Sequence, residues 1–433
     1  MKIHRAYKTE LDPNDVQRTA LLRHAGVARF AYNWGLDQKI AALDARKAAL
    51  AAGVPKDEAP KIPTAIDLHK MLVILKGIPT DQGGFPWMYE CSKSAPQEAL
   101  RDLDKAFDAF YRKCKDKSIK QKGFPRFKSR KKEIGGFRLN PPKVALKHVT
   151  LPRIGRVKLK EAGYVPQSGV KLLSSTVKEK AGKWFVSIAV EEDLLVPTTT
   201  DLPVIGVDVG VNVLAALSDG RTFENPRALK SSLRRLKFLQ KSLSRKVPKS
   251  KNREKAKVKV SRQHYRISCV RKDVLHKASD SITKNASIIV LEDLNVAGMM
   301  KNPKLARSVA DASMAELHRQ ILYKSAWRGV AVVTASRWYP SSKTCSNCGK
   351  VKGVLTLDDR VYDCDACGVK IDRDLNAALN LKSLAVSSTV GTLTSLKACG
   401  EAIRPQSCVS NDEAAPLKQE SNSDQGQALT GSV

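Results

Sequence analysis

The pairs Cys345-Ser-Asn-Cys348 and Cys364-Asp-Ala-Cys367, followed at once by Ile371-Asp-Arg-Asp-Leu-Asn-Ala-Ala-Leu-Asn380, decide how this chain folds. Four cysteines in two such pairs can close a tetrahedral zinc site, each pair on a tight knuckle with the intervening loop returning the chain. All four ligands are thiolates, so no coordination position stays open and the zinc is structural. The run behind them sets this ribbon against a helix that opens with carboxylates. With a helix start near Asp372, residues Asp374, Ala377, Ala378 and Leu381 share one face, and Asp372, Asn376 and Asn380 share a polar neighbouring face. Small alanines let the first face approach a sheet closely, so Asp374 is carried toward other elements. Asp372 reads as the N-cap, and Arg373 as free to meet a phosphate.

Working outward, two further segments offer carboxylates to join Asp374. Two-metal phosphodiester chemistry needs about three of them, brought together from separate segments to hold two divalent ions. In Val204-Ile-Gly-Val-Asp-Val-Gly-Val-Asn212, a strand turns Ile205, Val207 and Val209 one way and Gly206, Asp208 and Gly210 the other. Asp208 then has neighbours without side chains on its own face, leaving room for ions and a phosphate. In Ala286-Ser-Ile-Ile-Val-Leu-Glu-Asp293, four consecutive apolar residues indicate a strand buried on both faces. Its C-terminal end, where open α/β sheets place their sites, carries Glu292 and Asp293, and the pattern alone does not choose between them.

The chain of 433 residues carries 76 Lys and Arg against 43 Asp and Glu, a formal charge of +33 that calls for a polyanionic partner, nucleic acid first. No apolar run approaches the roughly 20 residues that span a bilayer. The opening residues lack the apolar core of a signal peptide. Five cysteines outside the ribbon (Cys91, Cys114, Cys269, Cys399 and Cys408) are scattered, which fits a reducing cytosol better than secretion. A short strand at residues 2–11 leads into helical periodicity over 16–111, with a helix start at Pro13 and Asp15. Short alternating runs over 136–193 predict antiparallel strands of a small barrel or sheet, and a linker at 196–203 precedes a mixed α/β region. Between residues 112 and 132, eleven of twenty-one positions are Lys or Arg, with Phe124 and Phe127 among them. Between 227 and 277, nineteen of fifty-one are basic and two acidic, read as two helices with a basic turn at 246–253. Both segments are candidates for a nucleic-acid grip. The residues singled out are Arg126, Lys128, Arg130, Arg234, Arg245, Lys249, Lys251 and Arg253, with Arg373 beside the third carboxylate.

These residues make the chain closely resemble the TnpB family, the transposon-encoded OrfB proteins related to type V CRISPR effectors. The matching motifs are Gly206-Val-Asp-Val-Gly210, Ile289-Val-Leu-Glu-Asp-Leu-Asn295, Tyr339-Pro-Ser-Ser-Lys-Thr-Cys-Ser-Asn-Cys-Gly349 and Asp372-Arg-Asp-Leu-Asn-Ala-Ala378. Likeness extends to Ala28-Arg-Phe-Ala-Tyr-Asn-Trp34 and Gly123-Phe-Pro-Arg-Phe-Lys-Ser129, so it covers nearly everything up to residue 385. The resemblance implies a multidomain α+β protein: a wedge-type β-barrel with an inserted helical recognition lobe, then an RNase H-like RuvC α/β nuclease domain carrying a zinc ribbon. The corresponding ranges are 1–11 and 125–196 for the wedge, 12–124 for the lobe, 203–340 and 371–385 for the nuclease domain, 341–370 for the ribbon, and 386–433 for a disordered tail. It also implies a metal-binding triad of Asp208, Glu292 and Asp374 for two Mg²⁺ or Mn²⁺ ions, one structural Zn²⁺ on Cys345, Cys348, Cys364 and Cys367, and cleavage of double-stranded DNA, guided by a noncoding RNA from the transposon end, next to a short target-adjacent motif. A strand-transfer transposase and a nuclease-inactive, RNA-guided repressor are the alternatives. The Asp, Glu, Asp order argues against the first, and the presence of all three acids against the second. Oligomeric state stays open.

Overall fold

Alternation along residues 2–12 builds the first strand of the computed structural model, β1 (Lys2–Asp12), with Ile3, Thr9 and Leu11 buried. The structure describes residues 2–116, 118–119, 121–131, 133–194, 201–356 and 359–390. Of the tail read as disordered, residues 391–433 lie outside that description, as do 195–200 of the linker.

Three helices interrupt the sheet that β1 begins: α1 (Asp15–Ala51), α2 (Ala65–Gly77) and α3 (Ser94–Lys115). α1 begins at Asp15 as expected, and Asn14 caps it. Its side chain accepts from the Gln17 N–H at 2.8 Å while Gln17 accepts from the Asn14 N–H at 3.1 Å. Buried residues Ala95, Ala99, Leu103 and Phe107 recur on one face of α3 and pack against α1 and the sheet. Six strands follow: β2 (Gly136–Leu139), β3 (Lys143–Ala145), β4 (His148–Leu151), β5 (Gly155–Leu159), β6 (Val170–Lys180) and β7 (Lys183–Asp193). The antiparallel order is β2-β6-β7-β1-β5-β4-β3.

That order corrects the barrel expectation. The edge strands β2 and β3 are consecutive in sequence, so residues 140–142 hold the two edges within about 14 Å and force the sheet to curl. Two of those three residues are Pro141 and Pro142, which have no N–H to offer a ladder. Among the described residues no pairing joins β2 to β3, and the sheet is curled but not closed.

Beyond the linker lie β8 (Val204–Asp208), β9 (Val213–Leu217), β10 (Thr222–Glu224), α4 (Ala228–Ser244), α5 (Lys251–Lys284), β11 (Ile288–Glu292), α6 (Val296–Met299), α7 (Ala306–Ala312), α8 (Met314–Arg328) and β12 (Ala331–Ala335). The sheet runs β10-β9-β8-β11-β12, with β8, β11 and β12 parallel. β11 is buried on both faces, as its apolar run predicts: Ile289 and Leu291 pack with Leu275 and Ile282 of α5, and Val290 packs with Leu381 on the other side. The basic stretch 227–277 is indeed two helices. Asp311 accepts from the N–H groups of Leu229 and Lys230 at the start of α4 and pairs with Arg271 of α5 at 2.8 Å. The hairpin β13 (Val361–Asp363) and β14 (Lys370–Asp372) then runs straight into α9 (Arg373–Val390). No helix among the described residues is long and apolar enough to cross a membrane.

Candidate functional site

Parallel pairing of β8 with β11 sets Val207 beside Leu291, so the next residues, Asp208 and Glu292, end adjacent strands at the same level. Asp374 reaches them on the first turn of α9, which packs on β8. The packing depends on Gly206: a Cβ there would lie 2.0 Å from the Ala378 carbonyl oxygen and 2.6 Å from the Lys382 nitrogen. On the Gly206 side, the space expected for ions beside Asp208 is therefore filled by helix backbone. Ala377, Ala378 and Leu381 are buried on that face as expected, and Asp372 caps the helix by accepting from the N–H groups of Asp374 and Leu375, each at 3.0 Å.

Glu292 and Asp293, left undivided by the sequence, go separate ways. Asp293 pairs with Arg337 at 2.6 Å on the surface, whereas Glu292 accepts from the buried Ser341 hydroxyl. Asp208 has its carboxyl pushed up to about 8, by burial first, then by the negative charges of Glu292 and Asp374; Arg373 and the Val209 N–H pull the other way. A buried carboxylate beside two others suits a cation as counter-charge, and their hard oxygens suit Mg²⁺ or Mn²⁺. Glu292 and Asp374 both act electrostatically on Asp208, but among the described residues only the four thiols form a metal-binding group with all ligand atoms within 4.8 Å. Arg373 is not free as expected. Its side chain is 15% exposed, approaches Asp374 at 3.4 Å and donates to the Thr356 carbonyl at 3.2 Å.

The cysteine set repeats one local structure twice. In each knuckle the first cysteine donates its N–H to the residue five positions on, Cys345 to Lys350 and Cys364 to Val369, both at 2.9 Å. In each, a glycine at positive φ, Gly349 (76°) and Gly368 (71°), returns its N–H to that cysteine's carbonyl. The Cys345–Cys367 and Cys348–Cys364 sulfur separations are both 3.6 Å. A zinc tetrahedron with Zn–S bonds of about 2.3 Å has edges of about 3.8 Å, so the thiols fit the metal. The Val369 N–H and then the Asn347 amide pull Cys367 down to about 6, and the N–H groups of Cys367 and Ala366 lower Cys364. Against the Lys350 N–H, burial and the three sulfur neighbours push Cys348 up to about 12. Proton and metal thus compete for the set.

The polar face of α9 proves to be buried under the first knuckle. Asn376 accepts from the Ser346 N–H at 2.9 Å and donates to the Thr344 carbonyl at 2.7 Å, and Asn380 donates to the Ser341 carbonyl at 2.8 Å. Ribbon and carboxylates are thereby joined through Ser341, a connection the sequence reading missed. The signal was there in the asparagines four apart behind Asp372.

Of the basic candidates, Arg126, Lys128, Arg130, Arg234, Arg245, Lys249 and Lys251 are exposed. Lys128 among them holds its ammonium 3.8 Å from the centre of the Tyr32 ring, whereas Arg253 donates to the Leu243 and Lys246 carbonyls at 3.2 and 2.9 Å, closing the end of α4. Phe124 packs edge-on against Phe107 and Phe110, yet it and Phe127 both stay exposed.

Residues 185–303 match the OrfB family of IS605, described as "Probable transposase". Residues 315–381 match "Cas12f1-like, TNB domain", and residues 1–48 match a "Helix-turn-helix domain". Over that last range the chain forms β1 and the single continuous helix α1, not two helices about a turn. A Streptomyces pristinaespiralis protein named "Putative RNA-guided DNA endonuclease" is 32% identical over 97% of this chain and 96% of its own length. The InsQ protein of Escherichia coli K12, given the same name, is 31% identical over 97% and 98%. Among solved structures, the mini-RNA-guided endonuclease CRISPR-Cas_phi3 aligns at 11% identity and TM-score 0.43, covering 89% of this chain and 92% of that one. With about a third of positions shared along nearly the whole length of two relatives, the chain belongs to the TnpB family, the OrfB proteins of IS605-type transposons.

Proposed function

We propose that this protein is an RNA-guided, metal-dependent endonuclease of a transposable element that hydrolyses phosphodiester bonds in double-stranded DNA next to a short target-adjacent motif. The observation that carries it is the approach of Asp208, Glu292 and Asp374 from two parallel strand ends and a helix, where burial and then the charges of the other two acids push Asp208 up to about 8. The names of relatives matched along almost their full length support the same reading. On it, residues 203–340 and 371–385 form a RuvC-type, RNase H-like domain, 341–370 its zinc ribbon, 12–124 a recognition lobe, and 1–11 with 125–196 a wedge. The cytosol is where we place its work, with a transposon-end noncoding RNA and the DNA target as partners.

Asp208, Glu292 and Asp374 would hold two Mg²⁺ or Mn²⁺ ions, which when bound supply an activated water and stabilise the leaving oxygen. The chain's own residues prepare that chemistry. Ser341 fixes one oxygen of Glu292, Arg373 lies against Asp374, and the close fit of α9 over Gly206 holds Asp374 toward Asp208. The four thiols would hold a zinc ion that fixes the first knuckle, which closely follows Ser341, and that would take no part in hydrolysis. Base pairing would read the target while the protein grips backbones and reads the short duplex motif.

The test is plasmid cleavage by protein co-expressed with its flanking transposon sequence, in Mg²⁺ or EDTA, beside Asp208→Ala. Cutting that requires the guide-matched target, Mg²⁺ and Asp208 is the expected result. Guide-dependent binding without cutting would replace the nuclease reading with that of a repressor.

A further inference from the structure

Between β12 and the first knuckle, residues 336–341 are pinned at three points. Arg337 pairs with Asp293 at 2.6 Å, the Tyr339 hydroxyl donates to the Asn380 carbonyl at 3.2 Å, and the Ser341 hydroxyl donates to Glu292. The side chain between the first two anchors, Trp338, is turned out to solvent. At 87% exposure it is the most exposed large apolar side chain among the described residues. Loop mobility does not account for this, because the side chains on either side are tied to Asp293 at the end of β11 and to α9. Trp338 also borders a shallow, open cleft of about 450 Å³ lined by Asp293, Thr334, Ala335, Ser336 and Arg337. Ala335 in that lining is the parallel-ladder partner of Glu292, so the cleft lies at the strand end that carries that carboxylate.

We propose that Trp338 and this cleft form a binding site for one unpaired nucleobase of the DNA strand presented to the carboxylates, a proposal that rests on the nuclease reading above. An indole face offers stacking to any base, which suits an enzyme whose target sequence is read elsewhere. The partner is a base and not a phosphate: Arg337 is already neutralised by Asp293, while the Asp293 carboxylate and the Ser336 hydroxyl can meet donors and acceptors on a base edge. The base must be unpaired, because a base stacked within a duplex has no face to give. Stacking there would fix the nucleotide beside the scissile phosphate, making Trp338 a positioning residue.

The protein–RNA complex is mixed in EDTA with guide-matched duplexes carrying 2-aminopurine at successive positions of the displaced strand, and cleavage of the same duplexes is followed in Mg²⁺. One position should be quenched in the wild type, lose its quench in Trp338→Ala and keep it in Trp338→Phe. Cleavage kcat/KM should fall about tenfold to hundredfold in the alanine variant, with target affinity and Tm unchanged, and recover in the phenylalanine variant. An equal quench in wild type and Trp338→Ala, or no quench at any position, would overturn the site. A quench that depends on Trp338 in a protein that never cuts would uphold the site and overturn the nuclease reading.

Discussion

Asp208 is the residue whose protonation the fold disturbs most in the candidate site. Its carboxyl lies at about 8 in the folded chain, against about 3.9 for an aspartate in an unfolded one. Between those values the folded state holds a proton that the unfolded chain has released, so stability falls as pH rises from about 4 to about 8. Asp208→Asn removes the titrating group. In EDTA, the wild type is expected to lose Tm steadily between pH 5 and pH 8, while Asp208→Asn shows a flatter profile and melts several degrees higher at pH 8 despite being unable to cut. Calorimetry across that range checks this, and parallel profiles would mean that Asp208 stays ionised throughout. Strand and helix periodicity picked out Asp208 and Asp374, because each lies on a face that neighbouring residue types define. The same logic failed for Arg253 and Arg373. Their partners are carbonyl groups at Leu243, Lys246 and Thr356, brought within reach by turns that no side-chain pattern reveals.

Helix α9 is the element on which the site turns, and its seat on β8 is set by one missing side chain. In Gly206→Ala the new methyl would meet the Ala378 carbonyl at 2.0 Å, and backbone cannot swing aside as a flexible side chain would. The helix must lift, taking Asp374 away from Asp208. Overpacking of this kind costs at least the upper end of about 1–3 kcal/mol, so a lower Tm is expected together with loss of cleavage. Gly77→Ala, where a Cβ meets nothing within 4 Å, should leave both unchanged. Denaturant melts and plasmid cutting on the two variants check it, and an active Gly206→Ala protein would show that the site does not need this seating. The elements themselves were legible where one periodicity persists, as in α9, β11 and the α4–α5 pair. Closure of the first sheet was not, because it depends on how two edges separated by three residues fail to pair, and alternation along each strand is the same in a barrel and in a curled sheet.

At the scale of the whole molecule, two basic segments about a hundred residues apart become neighbours. Lys257 of α5 donates to the Lys131 carbonyl at 2.8 Å, and Tyr265 of the same helix packs on Phe185 of β7 with ring centres 5.6 Å apart. Segments 112–132 and 227–277 therefore present positive charge together, on a chain whose formal charge is +33. Such a surface repels itself unless a polyanion lies along it, and each cation that meets a phosphate releases counterions. Replacing the exposed Arg130 or Lys251 by Gln should weaken guide-RNA binding and flatten the plot of log affinity against log salt by about 0.7–0.9 for each phosphate that is no longer neutralised. The double variant should show the sum, since both cations would meet one RNA. Arg253→Gln should behave differently despite its place in the same basic run. Its guanidinium already closes the end of α4, so the change should lower Tm and leave the salt slope alone. Binding titrations between about 50 and 400 mM KCl separate the two classes. A slope change at Arg253 as large as at Lys251 would mean that its guanidinium leaves the turn for the RNA backbone, and that the hairpin rearranges when the guide binds.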